Sequence, residues 1–160
     1  MKPILLSLSA AALMLPLLTQ AAPGHHHDHG AAAPQTLVLN AGKKWATDEA
    51  LRQGMGAIRT LAAGALPAAH AGRLKPAQYD ALANDIDAQI GFIVEHCKLD
   101  PQADAQLHLV VGELSGGVEA MRGKRTGEAR ALGVVKVARS LNAYGRHFSH
   151  AGWQPVKLPH

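Results

Sequence analysis

Apolar residues recur at spacings of three and four along four separate stretches, the pattern of helices that each bury one face. The first carries Leu51, Met55, Ile58, Leu61 or Ala62, and Leu66; the second carries Tyr79, Leu82, Ile86, Ile90, Ile93 and Cys97. Leu107, Val110, Val111, Leu114, Val118 and Met121 form the third stripe, and Leu132, Val135, Leu141, Tyr144 and Phe148 the fourth. Local chemistry sets the expected limits. Thr47 or Asp48 caps the first helix, with Asp48 and Glu49 favoured at its positive end, and Pro67 and Gly72 close it. Pro76 suits the first turn of the second helix. Asp100 caps the third, Pro101 takes its first position, and Gly123 follows its end. Thr126 caps the fourth, with Glu128 in its first turn. Four such helices on short connections pack most simply as an all-α, antiparallel up-down-up-down four-helix bundle.

Before the first stripe the pattern changes. Lys2 precedes an apolar run broken by Pro16, and Thr19 and Ala21 suit a cleavage site, so residues 1–21 read as a secretory signal peptide. The run is shorter than the roughly 20 apolar residues of a membrane span. The address this implies is the periplasm, with no membrane association after cleavage. Residues 22–46 lack a sustained period and read as a His-rich flexible segment, in which residues 37–39 are extended enough to cover one end of the bundle. The bundle is assigned residues 47–150 and a C-terminal tail residues 151–160.

Composition narrows the function classes. Aromatic residues make up 4% of the chain, which suits a helical bundle better than a sandwich or barrel. Without Lys2, 15 of the 16 basic residues remain against 12 acidic ones, a scattered excess that argues against a nucleic-acid stripe. Cys97 is the single cysteine, so no intramolecular disulfide can form. Glycines at 54, 56, 64, 91, 112, 116, 117, 133 and 145 fall inside expected helices, where each costs up to about 1 kcal/mol against alanine. Close helix approach, a composition drifting with a GC-rich genome, or room for a flat ligand between helices explains them.

The stretch Leu141-Asn-Ala-Tyr-Gly-Arg-His-Phe148 resembles the closing helix of the cytochrome b562 family, periplasmic four-helix-bundle b-type cytochromes. Leu51-Arg-Gln-Gly-Met-Gly-Ala-Ile58 is similar to that family's first helix, and Leu109-Val-Val-Gly-Glu-Leu114 to its third. The resemblance covers most of residues 48–149 in short matches. It implies a haem held by Met55 and by a histidine directly after the Asn-Ala-Tyr sequence. Here that position is Gly145. His147 is the nearest substitute, but two residues along a helix rotate a side chain by about 200°. There is no Cys-x-x-Cys-His for covalent haem attachment.

His25, His26, His27 and His29 surround Asp28 within five residues. Clustered imidazoles on a loose segment suit Cu²⁺ or Zn²⁺. If cleavage follows Ala22, the start Pro23-Gly-His25 adds an amine, two amides and an imidazole, a nitrogen set that Cu²⁺ and Ni²⁺ favour. Cys97 and His108 fall on different levels of the second and third helices, about 9 Å apart along the axis, and read as a packed thiol and a boundary residue. His96 reads as a surface residue. Ser115 and Ser149 lack a nucleophile elbow, and no glycine loop precedes Lys-Ser/Thr.

The sequence thus leads to an exported, non-enzymatic protein that binds copper or zinc through His25, His26, His27 and His29. Its alternatives are a haem-binding electron-transfer protein using Met55 and His147, and a cofactor-free structural or chaperone-like bundle.

Overall fold

The computed structural model describes residues 36–159, which contain four α-helices: α1 Glu49–His70, α2 Pro76–His96, α3 Pro101–Met121 and α4 Arg130–His147. Among the described residues there is no strand; Asn40 with Lys43 and Trp45 with Phe148 form isolated bridges. Each helix packs on the next in sequence, and α1 also packs on α4. No described helix is long and apolar enough to cross a membrane. The expected signal peptide and the four histidines at 25–29 lie outside the described residues.

Capping chemistry placed the starts of the first three helices well. The Asp48 carboxylate accepts the Leu51 N–H at 2.8 Å, and Asp100 accepts from Gln102 and Ala103, both at 3.0 Å. These bonds satisfy N–H groups that have no partner within the first turn. Pro76 and Pro101 each open a helix, where their missing N–H costs nothing.

Two boundaries differ from the sequence expectation. α1 runs through Pro67 to His70. A proline this close to the end removes one hydrogen bond only, and the turn closes behind it through Ala71 N–H to Pro67 O at 3.2 Å. Gly72, at φ +65°, then turns the chain. At the fourth helix, Thr126 caps nothing. Gly127 adopts φ +77° and the Glu128 N–H bonds to Arg125 O at 3.2 Å, so these residues form a turn and α4 begins at Arg130.

The buried face of α4 is also rotated from the expected one. Leu132 is 50% exposed and Val135 half-buried, while Gly133, Val134, Val137, Ala138, Leu141 and Tyr144 face inward. A close approach of α3 to α4 sets this rotation. A Cβ at Gly117 would lie 2.9 Å from the Gly133 carbonyl oxygen and 2.7 Å from the Val137 side chain. The two glycines meet backbone to backbone, so Gly133 must point at α3. The α2 and α3 stripes are buried as expected, except that Val111 is half-buried, as is Cys97 just past the end of α2.

Two stretches outside the helices join the core. Trp45 is buried, its backbone N–H bonds to His147 O and its carbonyl accepts the Ser149 N–H, each at 2.8 Å. Its indole donates to Val38 O at 2.7 Å. Of residues 37–39 only Leu37 packs on the core; Val38 and Leu39 are exposed. After α4 the chain returns along the helices, and Asn142 holds it there. The Asn142 amide donates to Val156 O at 2.9 Å while its oxygen accepts the Val156 N–H at 2.7 Å, so one side chain satisfies both backbone groups of a buried residue.

Candidate functional site

Ionisable groups with shifted proton affinities mark candidate functional sites when they share one place. Four described groups are clearly shifted, Asp48, Cys97, Tyr144 and His150, and they influence one another or share Arg52 as a neighbour. They meet where the start of α1, the end of α2 and the end of α4 come together.

Asp48 is the hinge of this group. One carboxylate oxygen caps α1; the other accepts the backbone N–H of Lys98 at 2.6 Å, just past α2. The Cys97 thiol lies against the same carboxylate. One turn into α1, the Arg52 guanidinium donates to the Thr47 carbonyl at 2.7 Å, and the Thr47 hydroxyl donates to Ser149 O at 2.6 Å. From α4, the fully buried Tyr144 places its hydroxyl 3.1 Å from His150 Nδ1. Tyr144 stacks on Phe148 with ring centres 5.1 Å apart and meets Trp153 edge-on at 4.9 Å. Trp153 in turn lies 4.8 Å from the His150 ring.

The proton affinities follow from this setting. Burial would raise Asp48, but the N–H groups of Lys98 and Leu51, the Cys97 thiol and Arg52 favour its charge, and it is lowered overall. Burial, with the Asp48 charge beside it, pushes the Cys97 thiol up to about 12. Burial raises Tyr144 as well. His150 is lowered, by burial first and by Arg52 second. At neutral pH the cluster therefore holds one carboxylate and one guanidinium among a thiol, a phenol and a neutral imidazole. A nucleophilic cysteine needs a depressed affinity and a base at its sulfur. Cys97 has the reverse affinity, and the imidazole bonds to Tyr144 instead.

The residues implied by the cytochrome resemblance have separate settings. Met55 is 0% exposed, within the apolar core. His147 turns its Nδ1 back to the Ala143 carbonyl of its own helix, at 2.8 Å. At Gly145 the place of a side chain is taken: a Cβ there would collide with the indole of Trp153. The tail thus supplies an aromatic ring where the family would carry a ligand, and this arrangement does not fit a haem bound at that position. The Trp153 Nε1–H is buried without a hydrogen-bond partner, pressed on the glycine.

The helical glycines do not share one explanation. Gly54, Gly117, Gly133 and Gly145 stand at close approaches, whereas Gly56, Gly64, Gly91 and Gly112 have no neighbouring atom within 4 Å of an added Cβ. Cys97 and His108, assigned to different levels, line one cavity of about 230 Å³ together with Asp104. No three His, Cys, Asp or Glu side chains among the described residues converge as metal ligands. His96 is exposed and its ring stacks on Phe92.

Sequence reasoning missed the group formed by Asp48, Arg52, Cys97, Tyr144 and His150. Asp48 was legible as a cap and Tyr144 as a core residue, but nothing local joins positions 48, 97 and 150. Comparison with family models, with curated proteins and with solved structures finds no match to the chain.

Proposed function

We propose that this chain is an exported, non-enzymatic metal-binding protein that takes copper or zinc through His25, His26, His27 and His29, carried on an antiparallel up-down-up-down four-helix bundle. The observation that carries the reading is four imidazoles within five residues, behind a leader of signal-peptide character. Imidazole nitrogens suit both ions, and a pliable segment can bring several to one ion. The described helices fit the part of a scaffold: the place where the family resemblance expects a haem ligand is filled by Trp153, and Cys97 is held as a protonated thiol.

Contacts between helix ends support the bundle topology. The start of α1 meets the end of α2 through Asp48 and Lys98, and the end of α4 through Thr47 and Ser149. Arg130 at the start of α4 reaches Pro76 and Asp80 at the start of α2, at 3.2 and 2.7 Å. Adjacent helices then run in opposite directions, and α2 and α4 in the same one.

Elemental analysis of the untagged mature protein from the periplasm tests the function. Copper or zinc near one per chain, lost when residues 25–29 are deleted, is the expected result. Metal that survives the deletion, or a protein that takes up neither ion when either is offered, would overturn it. Iron with a haem spectrum would instead establish the cytochrome reading.

A further inference from the structure

Behind Pro67 a groove of about 700 Å³ runs between the second half of α1 and the extended tail. Both walls follow from the sequence. On α1, the short side chain of Ala63 and the ring of Pro67 leave room beside Leu66. The opposite wall is tail backbone kept extended by Pro155 and Pro159, since the residue before a proline avoids helical geometry and proline has no N–H to give a helix. Asn142 fixes that wall through both backbone groups of Val156, and the Arg59 guanidinium fixes it again by donating to the Gln154 carbonyl. The tail wall is thus held by hydrogen bonds from both α4 and α1.

Its lining has a distinctive charge distribution. Leu158 and the exposed Pro67 and Pro159 supply apolar surface above the buried Leu66 and Val156, and every ionisable group lining the groove among the described residues is a base: Arg59, His70 and Lys157. The size lies within the range of small-molecule sites, roughly 300–1,000 Å³, and such sites are mostly apolar with a few polar groups that set orientation. Basic groups beside an apolar trough match a molecule with a hydrocarbon chain and an anionic head.

We propose that this groove binds a long-chain carboxylate, its hydrocarbon chain against Pro67, Leu158 and Pro159 and its head beside Lys157, His70 and Arg59. The site is separate from the N-terminal histidines and stands whether or not they bind metal. Chain length dominates the affinity, because each buried methylene strengthens binding by about three- to fourfold. Lys157 is exposed, so its pairing with the head contributes only a factor of about two to five.

Titration calorimetry on the full mature chain tests this, with decanoate, dodecanoate and tetradecanoate below their micelle concentrations. Affinity is expected to rise with each chain extension and to fall two- to fivefold in Lys157→Gln. Dodecyltrimethylammonium, which has the same chain and the opposite charge, is expected to bind at least tenfold more weakly than dodecanoate. Ala63→Trp is expected to abolish binding by filling the trough; should that variant not fold, the head-group comparison and Lys157→Gln still decide. Equal affinity for the cationic amphiphile, or dodecanoate binding unaffected by a folded Ala63→Trp, would overturn the proposal. Binding seen only after residues 23–35 are deleted would also overturn it, by making the chain's own N-terminal segment the occupant.

Discussion

Asp48 shows how much one side chain can join. It accepts N–H groups from two different helix ends, one on each oxygen, and a thiol lies against it. An amide in its place can cap α1 with its one oxygen, but it turns an N–H₂ group toward the Lys98 N–H. Asp48→Asn should therefore cost about 1–3 kcal/mol, read from the urea midpoint at unchanged m-value. The same variant removes the charge that helps to hold the Cys97 proton. With its affinity raised from 9.0 to about 12, Cys97 carries roughly 10³-fold less thiolate near neutral pH than an ordinary thiol. Alkylation by iodoacetamide at pH 7.5 should be at least 100-fold slower in the folded protein than in urea, and Asp48→Asn should speed the folded reaction. An equal rate in the folded and unfolded chains would show that the thiol is not held in this way. Gly145 makes the complementary point. A methyl group there meets the Trp153 ring, so Gly145→Ala should destabilise by about 1–3 kcal/mol and shift the tryptophan emission, because the indole must leave Tyr144 and His150.

Helix starts were readable wherever the signal was a cap or a proline acting on its own turn. Asp48, Pro76, Asp100 and Pro101 illustrate this, since the groups they satisfy lie within three residues. Thr126 has the right chemistry for a cap and is overruled by Gly127, whose positive φ sends the chain into a turn. Pro67 stops a helix by rule, yet this deep in the last turn it stops nothing. The inward face of α4 was misread because its apolar spacing admits two rotations, and backbone contact with α3 at Gly117 and Gly133 selects the one that exposes Leu132. The cluster around Asp48 was illegible for a related reason: its members come from segments about 50 residues apart, and only the packed chain brings them together. The same packing sorts the glycines. Gly56, Gly64, Gly91 and Gly112 meet no atom, so replacing all four with alanine should raise stability by about 2–4 kcal/mol in urea denaturation. Gly133→Ala alone should lower it, because a methyl group would strike the α3 backbone and Met121. A neutral fourfold variant would mean that those helices gain nothing from reduced backbone freedom.

Stability as a function of pH should report the shifted cluster as a unit. His150 and Asp48 bind protons less readily when folded, so their contributions are complete above about 6.5 and 3.8 and are lost as pH falls through their folded values. Cys97 and Tyr144 hold protons more tightly when folded, so theirs are complete below about 9.0 and 10.0 and decline as pH rises further. The expected curve is a plateau from about pH 7 to 9 with a fall on either side. His150→Phe should flatten the part of the acid limb nearest neutrality, and an unchanged limb in that variant would remove His150 from the account. The rest of the chain adds its own titrations, but a difference curve against the variant isolates this one.

The bridge between Trp45 and Phe148 is parallel: the chain enters α1 just after one of its residues and leaves α4 at the other. Its two hydrogen bonds, Trp45 N–H to His147 O and Ser149 N–H to Trp45 O, therefore lie across the line along which the two chain ends would be drawn apart. A pull on the ends slides the segments past each other and loads both bonds together, whereas an antiparallel clasp would open them one at a time. Traction passed along the chain to these two segments is therefore resisted by both bonds at once, a small shear lock placed ahead of the four helices.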